Sequence, residues 1–217
     1  MITRPPAKHP DIDYLSGVHW EQSLVIADLC TPPDNALMVG VGNAHGTSLA
    51  ALLHLNSTWR GIQLEHEPDI TDTWAAIQEC GVGNRCQVQL ANTTTDPPVG
   101  AYLYLLADLS RSEHWTHETL KVFLAGIRGG IPPGGWLLAI DNMPPETPPD
   151  DHACACPPKL EDCLDTCNKF RWPRPPECGM EWSLSGYMHL LGTTGLQVRV
   201  VRGMSHSFTL LGLTRPE

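Results

Sequence analysis

Two kinds of hydrophobic pattern alternate along the chain. Short uncharged apolar blocks of five to seven residues read as strands buried on both faces of a sheet, and longer stretches with apolar residues every three or four positions read as helices. The first block, Ala36 to Val41, runs into Gly40, Gly42 and Gly46. Thr47 and Ser48 are then placed to cap a helix continued by Leu49, Leu52 and Leu53 to Leu55. Arg60 to Leu64 predicts a second strand ending on Glu65. Ile70 to Cys80 predicts a helix with Ile70, Trp74 and Ile77 on one face, closed by Gly81 and Gly83. Cys86 to Leu90, Ala101 to Ala107 and Trp136 to Ile140 predict strands three to five, with a helix over His117 to Ile127; the fourth strand ends on Asp108 and the fifth on Asp141 and Asn142. Asp11 to Cys30 fits one or two helices, stopped by Thr31, Pro32 and Pro33, after an extended proline-bearing arm over the first ten residues. Glu181 to Leu191 fits a helix, followed by a hairpin of Leu196 to Val201 and Phe208 to Thr214 through Gly203. Strands and helices thus alternate through five strands, and a helix and hairpin complete the order.

The chemistry begins where the first strand meets its glycines. A strand, glycine loop and helix start in one run bring backbone close to a ligand, although a plain structural turn explains the loop as well. The spacing is G-x-G-x-x-x-G, with His45 where a dinucleotide fingerprint has its third glycine, so a nicotinamide or flavin site fits imperfectly. Glu65 strengthens the reading. A carboxylate at the tip of the second strand can accept both hydroxyls of a ribose, the alternative being an ordinary surface strand end. Asn92, in the polar turn after the third strand, could read an adenine edge or merely shape the turn.

Composition narrows the partners. The chain has 217 residues, with 24 acidic against 14 basic side chains and a formal charge of -10. That suits one domain with a single core and argues against a large nucleic-acid footprint, since phosphate affinity comes mostly from Lys and Arg. A small-molecule acceptor is the expectation. Arg4, Pro5, Pro6 and Lys8 follow Met1 with no apolar block behind them and no run approaches a membrane span, so a cytoplasmic protein is expected. Oligomeric state is left open.

One region breaks the pattern. Five of the eight cysteines and nine of the 20 prolines lie between Pro144 and Cys178, in a stretch with almost no apolar periodicity. This Cys/Pro-rich insertion, about 144–179, cannot fold by burial alone. Zinc held by Cys154, Cys156, Cys163 and Cys167, or by three thiolates and His152, is one reading; free or redox-labile thiols, cross-links and an iron–sulfur cluster are others. Coming directly after the fifth strand, it should sit over the carboxyl edge of the sheet as an acceptor lid, with Phe170, Trp172 and Trp182 as candidate walls.

From Asp11 to Thr214, the insertion apart, the chain resembles the class I S-adenosylmethionine-dependent methyltransferases. GIQLEHEPDITDTWAAIQECGVGNRCQVQLANTTTD and WLLAIDNMPPETPPD look like the catechol and caffeoyl-coenzyme A O-methyltransferase branch. The resemblance implies a Rossmann-like α/β fold, with a seven-stranded, mostly parallel sheet, an antiparallel last strand and helices on both faces. It implies that Gly40, Gly42 and Gly46 approach the methionine part of S-adenosylmethionine, that Glu65 holds its ribose, and that His66 and Asn92 lie at its adenine. It also implies magnesium at Asp108, Asp141 and Asn142, with a turn as the other reading of the Asp-Asn pair. The branch has a lysine where Arg111 stands, and a guanidinium cannot take a proton; His114 is the substitute base. The expected activity is O-methylation of a small or medium acceptor. The alternatives are a cofactor-binding scaffold without methyl transfer, and a methyltransferase of a protein or nucleic acid.

Overall fold

In the computed structural model, residues 17–42, 46–91, 97–109, 115–127, 129–141, 184–204 and 208–215 are described. Seven strands form one sheet: β1 Leu37–Gly42, β2 Arg60–Glu65, β3 Cys86–Leu90, β4 Leu103–Ala107, β5 Trp136–Asp141, β6 Gln197–Gly203 and β7 Thr209–Thr214. Their order across the sheet is β3-β2-β1-β4-β5-β7-β6. The first five pair in parallel and β7 runs antiparallel to both β5 and β6, the mostly parallel sheet with a reversed last strand that the sequence predicts. Helices among the described residues are α1 Gly17–Cys30, α2 Thr47–Leu55, α3 Ile70–Glu79, α4 His117–Ile127 and α5 Leu184–Gly192. The predicted alternation lapses once: β3 leads to β4 with no helix among the described residues between them.

Period-two alternation sends the strand side chains into two separate cores. Val39, Val41, Leu106 and Ala139 face Leu120 and Leu124 of α4 and Leu190 and Leu191 of α5. Met38, Leu103, Leu105 and Ile140 face Ile26 of α1, Leu49 and Leu52 of α2, and Ile77 of α3. Each such fully buried aliphatic side chain contributes roughly 1.5–3 kcal/mol, which is why uncharged blocks specify the central strands. The central strands β1, β4 and β5 are therefore covered on both faces, whereas the outer strands β3 and β6 are largely exposed.

Strand direction decides which edge a ligand can use. Parallel strands put the ends of β1, β2, β4 and β5 along one carboxyl edge, where α2 and α3 begin. At the opposite edge the guanidinium of Arg85 donates to the carbonyls of Leu53, Asn56 and Trp59 at 2.8–3.0 Å, closing the carbonyl end of α2 that has no intrahelical partners. The C-terminal ends of α1 and α2 meet at that same edge, where the Trp59 indole donates to the Pro33 carbonyl and the Asn35 amide to the Thr58 hydroxyl.

Candidate functional site

At the carboxyl edge, β1 ends in glycines with two distinct constraints. Gly42 has φ 130°, and a Cβ there would run into the carbonyl oxygen of Ala107 on β4, so no larger residue fits this strand pairing. Gly46 has φ 72° and stands as the N-cap of α2, which begins at Thr47 with no side-chain cap. The expectation that Thr47 and Ser48 cap the helix is thereby corrected: a left-handed glycine supplies the turn, and both residues fall inside the helix. Gly40 gives its side-chain space to the amide of Gln63, which is buried on β2. Gly40, Gly42, Gly46, Ser48, Gln63 and Ala107 line a small cavity at this edge, a cradle whose glycines have no room for a Cβ against Gln63, Ala107 and Ile77.

Glu65 ends β2 beside this cradle and is 3% exposed. A buried carboxylate needs donors, and two are close: the His66 amide at 3.2 Å to Oε1 and the Thr73 hydroxyl at 3.1 Å to Oε2. Thr73 lies in the first turn of α3, so packing of that helix fixes the orientation of the carboxylate. His66 is partly buried and meets Trp115 edge-on at 5.5 Å between ring centroids, and Trp115 meets Phe123 of α4 in the same way. An aromatic row thus backs the tip of β2 on the α4 face.

Further along the edge, β4 and β5 set Asp108 and Asp141 at neighbouring strand ends. The Asp108 amide donates to the Ile140 carbonyl at 2.9 Å, continuing the β4–β5 ladder and setting Asp108 beside Asp141. Asp108 is partly buried, with φ 57°, a left-handed conformation that Asp tolerates better than most residues and that recurs at functional sites. Asp141 is 1% exposed, and its Oδ2 accepts the hydroxyl of Tyr187 from α5 at 2.5 Å. Burial, the neighbouring Asp141 carboxylate and hydrogen bond, and the Asp108 carboxylate hold the Tyr187 phenol well above its usual pKa, so it stays protonated and donates.

This donor set does not fit the magnesium that the resemblance implies. A hard divalent ion takes oxygens turned outward to it and keeps several waters, whereas one oxygen of Asp141 faces a protonated phenol in the interior. No group of three His, Cys, Asp or Glu side chains able to hold an ion gathers among the described residues. Asn92, His114 and Asn142 lie outside the described residues, as do Cys154, Cys156, Cys163 and Cys167. The residues that sequence reasoning missed are Gln63, Thr73, Trp115 and Tyr187. Each has the type of a core or helix residue, and only the fold places it behind a strand tip.

No family model matches the chain. The chain is 27% identical over 110 residues to the O-demethylpuromycin-O-methyltransferase of Streptomyces alboniger, a match covering 51% of this chain and 29% of that protein. Among solved structures, the pyocyanin biosynthetic protein PhzM superposes over 93% of this chain and 55% of its own, at a TM-score of 0.66 and 15% identity. A methyltransferase in calicheamicin biosynthesis, in its SAH-bound form, superposes over 92% of this chain and 54% of its own, with a TM-score of 0.61 and 19% identity. The chain has the class I methyltransferase fold. It spans less than half the length of the curated relatives it matches. These relatives are bacterial natural-product O-methyltransferases, so the expected likeness to the catechol and caffeoyl-coenzyme A branch is corrected: it rested on two short segments, and the matches over 110 to 145 residues lie with the natural-product enzymes. Among the described residues, no helix is long and apolar enough to cross a membrane.

Proposed function

We propose that the chain binds S-adenosylmethionine and transfers its methyl group to a hydroxyl of a small acceptor. The observation that carries this reading is the placement of buried Glu65 at the tip of β2, oriented by Thr73 and His66, beside the glycine cradle at the tip of β1. The likeness to an O-demethylpuromycin-O-methyltransferase and a mitomycin biosynthesis 6-O-methyltransferase supports it and points to a small-molecule acceptor.

On this reading Gly40, Gly42 and Gly46 form the cradle for the methionine part, Glu65 accepts the ribose hydroxyls, and His66, with Asn92, flanks the adenine. The cofactor supplies a methyl group on positively charged sulfur. As the acceptor oxygen bonds to that carbon the carbon–sulfur bond breaks, and the hydroxyl proton passes to a base. Alignment contributes more to such a displacement than covalent help from the protein. Asp108 stands at the acceptor end of the edge, and His114, in the segment after β4, is the proposed base.

Calorimetry with S-adenosylhomocysteine and with NAD, and then mass spectrometry of hydroxylated aromatic and nucleoside acceptors incubated with S-adenosylmethionine, tests the proposal. Binding of S-adenosylhomocysteine and a gain of one methyl group are expected. Binding of NAD in its place would overturn the assignment.

A further inference from the structure

We propose that Tyr187 takes the place of a metal ion at the tips of β4 and β5, its hydroxyl holding Asp141 so that this edge works without a divalent cation. Three observations carry it. The Tyr187 hydroxyl lies 2.5 Å from Asp141 Oδ2, a charge-assisted hydrogen bond of the short, strong kind. Both residues are 1% exposed, so the bond lies inside the core under α5. The phenol also presents its hydrogen to Oδ2, and the positive end of an O–H dipole repels a cation at that oxygen.

The arrangement divides two adjacent carboxylates between two tasks. Asp141 ties β5 to α5, the helix that leads into the β6–β7 hairpin, and so fixes the wall of the edge. Asp108, partly buried and turned by its left-handed backbone, stands beside it at the tip of β4. Two carboxylates on neighbouring strands, roughly 4.8 Å apart, repel each other unless something positive lies near them. In a metal site that is the ion; here Asp141 has the phenol hydrogen at its Oδ2.

The same contact bears on substrate class, a step that rests on the methyl-transfer reading. Without an ion to grip two vicinal oxygens, the acceptor is a compound with a single acidic hydroxyl, of the phenol type, rather than a catechol whose diol chelates a metal.

Manganese binding tests the metal claim without relying on turnover. Electron paramagnetic resonance would compare Mn2+ held by the wild-type chain with that held by Asp141→Asn, each with and without S-adenosylhomocysteine, and Asp108→Asn is the second comparison should Asp141→Asn fail to fold. No difference in bound manganese is expected. One equivalent bound by the wild type and lost in either variant would overturn the proposal. Tyr187→Phe, Asp141→Asn and the double variant then form a thermal-stability cycle. The double variant should be no less stable than the worse single one, whereas fully additive losses would show that the two side chains are not coupled. In the acceptor screen, methylation of monohydroxyl phenols that is unchanged by EDTA is expected. Methylation confined to catechols and abolished by EDTA would overturn the substrate class, while failure of S-adenosylhomocysteine to bind would overturn the methyl-transfer reading alone.

Discussion

The hydroxyl of Thr73 donates to Glu65 Oε2 at 3.1 Å, tying the first turn of α3 to the tip of β2. Thr73 is fully buried, so the bond is shielded from water and the helix cannot shift without turning the carboxylate. If Glu65 holds a ribose, the two residues should act in series. Glu65→Ala should weaken S-adenosylhomocysteine binding by about 1.5–3 kcal/mol, the range for hydrogen bonds to a charged group. Thr73→Val keeps the shape and removes one donor, so it should cost less affinity than Glu65→Ala. Calorimetry checks both, and an unchanged affinity in Glu65→Ala would remove that residue from the cofactor site.

Gly42 makes a sharper demand on the fold than on any ligand. Its φ of 130° and the Ala107 carbonyl beside it mean that Gly42→Ala forces the central β1–β4 pairing apart. A loss of about 1–3 kcal/mol is expected for overpacking, with the backbone strain added to it. Urea unfolding measures it. A variant as stable as the wild type would show that the strand ends adapt.

Much of this architecture is legible in the sequence, because β1, β4 and β5 are buried on both faces and uncharged blocks can hardly be read otherwise. Glu65, Asp108 and Asp141 stand out for the same reason: each is the first charge after an apolar run. Why the glycines are there is less legible. Gly40 and Gly42 are required by Gln63 and by the Ala107 carbonyl, contacts from β2 and β4 that local spacing does not reveal. Tyr187 is the extreme case. In a helix with apolar neighbours it reads as filler, and its role depends on α5 crossing the tip of β5, a fact of tertiary packing alone. The magnesium expectation finds no support there, since two aspartates at adjacent strand ends look the same in sequence whether or not a phenol donates to one of them.

His19, near the start of α1, provides a pH test. Burial lowers its pKa below the ordinary value of 6.5, so the folded chain holds it neutral where the unfolded chain would take a proton. More protons bound in the unfolded state means that stability falls as pH drops, with the loss growing below the ordinary histidine value. Urea midpoints should therefore fall between about pH 7.5 and about pH 5.5, and His19→Gln should flatten that dependence. Equal slopes in the two proteins would assign the acid sensitivity to other groups.

The three cysteines in the described core should behave unlike reactive thiols. Cys30 and Cys86 are each 1% exposed, and burial pushes both pKa values up to about 12, while Cys80, 4% exposed, is raised by burial and by the nearby Glu79. The thiolate is the nucleophile, so at pH 8 only about one Cys30 or Cys86 side chain in ten thousand is in the reactive form. Access is a second barrier, since Cys86 lies under α2 and Cys30 between α1 and the sheet. Brief treatment of the native protein with iodoacetamide and subsequent peptide mapping should find Cys30, Cys80 and Cys86 unmodified, and all three should react once urea is added. Rapid labelling of Cys86 in the native state would mean that the β2–β3 edge opens on the timescale of the reaction, and would place that edge among the least stable parts of the fold.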